Sequence, residues 1–182
     1  MMTSIIKKII LKLRGEVSTS QLIKSGLIVG HNFNRLYGCK IDSTHCWLIS
    51  IGDNVTLAPG VHILAHDAST RKNLGYTKIG LVTIGSDVFI GAGSIILPGV
   101  TIGDNVIIGA GSVVTKNITA NSVAAGNPAS FICTASEYIA KNSSLLKTRP
   151  QFDKSWTVEN GITMEQKKIM RETLSDGIGF VE

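Results

Sequence analysis

Few side chains in this 182-residue chain could do chemistry near neutral pH. Four histidines are present, His31, His45, His62 and His66, and three cysteines, Cys39, Cys46 and Cys133. An imidazole titrates nearest neutrality, so a histidine can act as a general base without extreme tuning. His66 stands out by position: it sits in ILAHDAS, just before residues 69 to 81, which interrupt an otherwise regular repeat. Asp67 beside it could orient a partner or a ligand, although neighbours on a strand usually point to opposite faces. The plain alternative is a loop histidine on the surface. A zinc site needs three or four converging ligands. His62 and His66 are four apart, a spacing that shares a face on a helix but not in a β-repeat, and the third ligand would have to be His45, at no matching spacing. No metal is expected. The cysteines are odd in number and irregularly spaced, so no zinc or disulfide framework follows, and a reducing compartment is the simpler setting. No GxSxG elbow, Walker loop or dinucleotide fingerprint is present.

The elements that must position His66 are set by a period of six. Ile84, Ile90, Ile96, Ile102, Ile108 and Val114 recur every sixth residue, usually followed by Gly (Gly85, Gly91, Gly103, Gly109). Six fits neither the 3.6 period of a helix nor simple alternation. It fits a short strand, a corner, and a repeat, with the aliphatic residue inward at each face. That is the mark of a parallel β-helix built from hexapeptides. A degenerate form begins at Ile28 and locks in at Ile51 (IGDNVT, LAPGVH, ILAHDA). The insertion at 69–81, STRKNLGYTKIGL, then loops out on one face, where solenoids often bind. The repeat relaxes through NSVAAGNPAS, with an exit turn at Gly126 and Pro128. The expected division is 1–27, an amphipathic helix and a connector or short strand; 28–132, the β-helix; and 133–182, a helical tail. In the tail, Ser136 to Leu146 reads as a short helix, and Thr163 to Gln166 as a capping box before a second. Trp156 is expected to pack the tail against the prism.

Hydrophobic residues make up 43% and aromatics only 5%, which suits a thin prism filled by Ile, Val and Leu. The net charge of +5 points to an anionic ligand, but no Lys/Arg run with interleaved aromatics supports nucleic acid. In residues 1–15, MMTSIIKKIILKLRG, Ile5, Ile6, Ile9, Ile10 and Leu13 share one helical face with the lysines largely opposite. This is neither a secretory signal nor a transmembrane span. It reads as a cap on the open end of the solenoid; contact with an anionic membrane is the alternative and is not favoured.

The run ISIGDNVTLAPGVHILAHDAST, the insertion, and VTIGSDVFIGAGSIILPGVTIGDNVIIGAGSVVTKNITANSVAAGNPA together resemble the hexapeptide-repeat acyltransferases. The likeness covers about Ile28 to Ile132. It is nearest the maltose/galactoside-type O-acetyltransferases and the acetyltransferases of capsule, lipopolysaccharide and colanic acid biosynthesis. The resemblance implies a left-handed parallel β-helix, a homotrimer with active sites between subunits, and acetyl-CoA as donor. By position it puts the catalytic base at His66 and an oxyanion-binding backbone N–H at Ala92, with direct transfer and no acyl-enzyme. It carries coenzyme A contacts onto Gly91, Ala92, Gly109, Ala110, Thr115 and Lys116, with Gly91, Gly109 and Gly111 permitting close approach. Arginines that help bind coenzyme A in the galactoside enzymes become Ser130 and Cys133, which leaves the nucleotide end to other cations such as Lys141 or Lys147. The acceptor residues do not align; Asn34, Arg35, Asp42 and His45, with Asp67, are the candidates. The expectation is a trimeric, cytoplasmic O-acetyltransferase acting on a sugar or glycan precursor. Rivals are a streptogramin- or chloramphenicol-type acetyltransferase, which the short insertion disfavours, a non-catalytic solenoid, and a zinc hydratase.

Overall fold

A computed structural model describes residues 16–182. The amphipathic helix expected over residues 1–15 lies outside the described residues. The chain forms two compact units, one ending at Ala135 and the other Ser136–Glu182.

The first unit is the parallel β-helix. Its strands are β1 (Ile28–Val29), β2 (Asn34–Arg35), β3 (Lys40–Ile41), β4 (Ile49–Ile51), β5 (Thr56–Leu57), β6 (His62–Ile63), β7 (His66–Asp67), β8 (Lys78–Ile79), β9 (Val82–Ile84), β10 (Phe89–Ile90), β11 (Ile95–Ile96), β12 (Thr101–Ile102), β13 (Ile107–Ile108), β14 (Val113–Val114), β15 (Ser122–Gly126) and β16 (Ala129–Thr134). Successive strands go to successive faces of a triangular prism. The first sheet runs β1-β4-β9-β12, the second β2-β5-β10-β13-β15-β16 and the third β3-β6-β11-β14. Pairing is parallel and in register coil on coil, as in His62↔Ile95 and Ile95↔Val113. The hexad aliphatics fill the interior: Ile51, Ile84, Ile90, Ile96, Ile102 and Ile108 are all at most 3% exposed. Each such side chain contributes roughly 1.5–3 kcal/mol on burial. The winding is the left-handed one of the hexapeptide fold.

The corners explain the polar positions of the repeat. Entering the second sheet, Asn32, Asn54, Asp87, Asn105 and Asn121 have φ of 53 to 58°. Asx residues tolerate this left-handed conformation best. They also stack: Asn54 Nδ2 donates to Asp87 Oδ1, and Asn105 Nδ2 to Asn121 Oδ1, both at 2.9 Å. Entering the third sheet, the turn falls on Gly38, Gly60, Gly93 and Gly111, with φ of 68 to 76°. The third corner, leaving the third sheet, is irregular. Residues 42–48 end there in a 3-10 turn, Cys46–Leu48, and the next coil carries the insertion. The insertion is a hairpin in which β7 pairs antiparallel with β8, His66 opposite Ile79, around a short helix at Arg71–Leu74.

One expectation changes. Residues 16–27 hold a helix, Thr19–Lys24, rather than a plain connector or strand. Ser18 and Gln21 form a reciprocal capping box, and Leu22 enters the core at 1% exposure. Further helices span Ala135–Leu146, which opens at the last residue of the first unit, and Met164–Thr173 in the second, the latter opened by the Thr163–Gln166 capping box. Trp156 meets Phe152 within that unit, ring centroids 5.0 Å apart. Among the described residues no helix is long and apolar enough to cross a membrane.

Candidate active site

His66 leaves the third sheet on the second coil, directly above the Asp42–Thr44 turn of the first. The ladder fixes this stacking: Asp42 N donates to Ile63 O at 2.9 Å, and Leu64 N to Ile96 O at 3.0 Å. His66 Nδ1 makes a short hydrogen bond to Asp42 Oδ2. The Asp42 side chain is 1% exposed and that of His66 34%, so the carboxylate is covered and the imidazole opens to solvent. Asp42 is saturated with donors. Oδ1 accepts from Thr44 N (3.0 Å), Thr44 Oγ1 (2.8 Å) and His45 N (3.2 Å), and Oδ2 accepts from Ala65 N (3.0 Å). Burial opposes ionisation here. The hydrogen bonds from His66, Thr44 and Ala65 outweigh it and bring the carboxyl down to about 2. An ionised carboxylate only accepts, so His66 carries a proton on Nδ1, and in the neutral imidazole the lone pair is on Nε2. The pair opens onto a cleft of about 220 Å³ lined by Arg35, Lys40, Thr44, His62, Leu64 and His66, among others.

The other candidates fall in several places. Asp42, expected at the acceptor, instead lies beneath His66 with both oxygens occupied. Asp67 faces away from that pair: its Oδ1 accepts from Ser69 N at 2.9 Å and its Oδ2 meets Lys78 Nζ at 2.5 Å, tying the insertion hairpin together. Lys78, with Ser69, holds the Asp67 carboxyl below its usual range. Asn34 is exposed on the second sheet, opposite Thr56, away from His66. Arg35 reaches the cleft, but its guanidinium donates to the carbonyls of Val17 and Cys39. His45 is in the cluster, its ring centroid 5.0 Å from that of His66. Asp42, His45 and His66 each bring one potential ligand atom within 4.8 Å of the others, whereas His62, the spacing-based candidate, is not in that group.

Gly91, Ala92, Gly109 and Ala110 stack at the corner entering the third sheet, where Gly111 N donates to Ala92 O at 2.8 Å. Both alanines are exposed, and among the described residues neither backbone N–H has a hydrogen-bond acceptor. The coils themselves require Gly91 and Gly109. A Cβ on Gly91 would lie 2.4 Å from Ala110 N, and one on Gly109 2.7 Å from the Ala125 methyl. Thr115 and Lys116 lie on the same corner as His66, two coils on. They line a second cleft with Ile118, Pro128, Ser130 and Phe131. His66 and Ala92 thus occupy opposite edges of the third sheet, and one chain does not bring them together.

Residues 82–116 match the family model for the bacterial transferase hexapeptide (six repeats). CapG of Staphylococcus aureus is 39% identical over 144 residues, covering 74% of this chain and 82% of CapG. A galactoside acetyltransferase solved in complex with coenzyme A is 40% identical, with a TM-score of 0.57 over 64% of this chain and 58% of that one. A maltose O-acetyltransferase from Clostridium difficile 630 is 47% identical, with a TM-score of 0.50 over 60% of this chain and 59% of that one. The chain belongs to the hexapeptide-repeat acyltransferases, in the branch of the maltose and galactoside O-acetyltransferases. It spans under three-fifths of the length of those two solved enzymes. Solved members hold coenzyme A or acetyl-CoA, which makes acetyl-CoA the family's co-substrate.

Proposed function

We propose that the protein is an acetyl-CoA-dependent O-acetyltransferase acting on a hydroxyl of a sugar or glycan precursor, with His66 as general base. The observation that carries this is the Asp42–His66 pair: a buried carboxylate holding, through Nδ1, a partly exposed imidazole that lines a cleft. Bound acetyl-CoA supplies an activated thioester carbonyl. His66 Nε2 takes the acceptor hydroxyl proton as the oxygen attacks. Asp42 stabilises the imidazolium that results and keeps the ring in one tautomer, which makes it a positioning residue. The free N–H of Ala92 is a donor for the developing oxyanion, and that of Ala110, with Thr115 and Lys116, offers further contacts to coenzyme A. Lys116, with no ion-pair partner among the described residues, can meet a phosphate. The homotrimer that the family resemblance implies would set one copy's His66 edge against the next copy's Ala92 edge, uniting two groups that lie on opposite edges of one sheet in a single chain. Three free thiols suit the cytoplasm. The test is thiol release from acetyl-CoA with and without a panel of pyranosides, alongside the solution mass. Acceptor-dependent release by a trimer supports the reading. Tight acetyl-CoA binding by a monomer would contradict the shared site, and no binding at all would leave a non-catalytic solenoid.

A further inference from the structure

The cluster around Asp42 holds a second imidazole that the reaction above does not use. Thr44 has one hydroxyl proton, and its 2.8 Å contact to the ionised Asp42 Oδ1 takes it. The Thr44 oxygen is then left as an acceptor. His45 Nδ1, 3.0 Å from it, must be the donor. One carboxylate therefore sets both tautomers: His66 directly, and His45 through Thr44. In the neutral form each ring carries its proton on Nδ1 and leaves Nε2 as a lone pair. The centroids are 5.0 Å apart, the planes 41° from parallel. Beyond His45, the Trp47 ring lies 5.3 Å away and remains 53% exposed, although a residue of this kind is usually well covered. Three rings in a row thus lead away from the base, starting with two hydrogen-bond acceptors and ending with an apolar face. A lone general base needs only the first.

We propose that His45 and Trp47 are the acceptor-recognition edge of the site. His45 Nε2 accepts a hydrogen bond from the hydroxyl next to the one His66 deprotonates, and Trp47 carries an apolar face of the sugar ring. The substrate class is a pyranoside with two neighbouring hydroxyls. This rests on the reading of His66 as base. A mono-alcohol fills only one of the two lone pairs, and its transfer is slower for that reason.

The test compares wild type, His45→Phe and His66→Ala by thiol release from acetyl-CoA. The acceptors are methyl galactopyranoside, methyl glucopyranoside and their monodeoxy analogues. His45→Phe keeps a ring between Trp47 and His66 but removes both nitrogens. In the wild type, deleting the hydroxyl adjacent to the acetylated one lowers kcat/KM about tenfold, as loss of one hydrogen-bond partner does. In His45→Phe the parent sugar falls by the same factor, chiefly through KM, and the difference between parent and deoxy analogue disappears. Equal rates for parent and deoxy sugar in the wild type, discrimination that survives His45→Phe, or transfer to no pyranoside would each overturn the inference. Activity that survives His66→Ala instead rejects the base, so the two failures are distinguishable.

Discussion

Replacing Asp42 with asparagine perturbs one atom and a whole hydrogen-bond network. Five donors converge on the carboxylate: Thr44 N, Thr44 Oγ1, His45 N, Ala65 N and His66 Nδ1. An amide has one acceptor oxygen, so one set of donors must face an NH₂ group. With the oxygen toward Thr44 and His45, the NH₂ meets Ala65 N–H, and His66 must turn its unprotonated nitrogen to Nδ1. The proton then sits on Nε2 and the base is lost. The wrong-tautomer effect in a serine-protease triad is about 10⁴ in kcat, and a lost general base costs 10²–10⁴-fold. Asp42→Asn is therefore expected to lower kcat by about 10²–10⁴ while acetyl-CoA binding is unchanged, since the network touches no proposed coenzyme A contact. Stability should fall as well. The drop from 3.8 to about 2 corresponds to about 2–3 kcal/mol at about 1.4 kcal/mol per pH unit. The folded pKa is depressed, so this contribution is present above about pH 4 and lost as pH falls toward about 2. The assays are steady-state thiol release, calorimetric binding of acetyl-CoA, and urea unfolding at pH 7 and pH 3. Full kcat in Asp42→Asn would refute the claim that this carboxylate sets the tautomer. A loss of acetyl-CoA affinity equal to the loss of kcat would mean that the substitution simply disrupts the fold.

Two glycines of the same corner should respond for different reasons. Gly91→Ala drives a Cβ to 2.4 Å from backbone in the next coil and should destabilise by roughly 1–3 kcal/mol or prevent folding, whereas Gly93→Ala meets nothing within 4 Å and bears only the cost of its φ of 69°, about 1 kcal/mol; chemical denaturation of both variants is the check. Added Zn²⁺ should inhibit by engaging Asp42, His45 and His66, EDTA should reverse this, and EDTA alone should leave the rate unchanged. Zinc-dependent stimulation in the same titration would argue for metal chemistry instead.

The prism was legible because its period of six is imposed by geometry: each face buries the same kind of residue at the same place, so Ile84 through Val114 announce it. His66 was legible from the break that follows it. Asp42 was not, because its partnership with His66 spans 24 residues and crosses the loosely spaced first coil, where spacing alone does not give the register of β3 against β6. The Thr44–His45 link was hidden for the same reason. The helix at Thr19–Lys24 did leave a signal, the Ser18–Gln21 capping box, but at six residues it is too short to show a helical period. The demand of neighbouring coils on Gly91 and Gly109 was not legible either, because the hexad spacing does not show which backbone a Cβ would meet.

Whether His66 removes the acceptor proton is read from the kcat of His66→Ala, measured with saturating acetyl-CoA and an acceptor that the wild type acetylates. A fall of about 10²–10⁴-fold with acetyl-CoA affinity unchanged is expected; wild-type turnover in that variant would rule out His66 as the base.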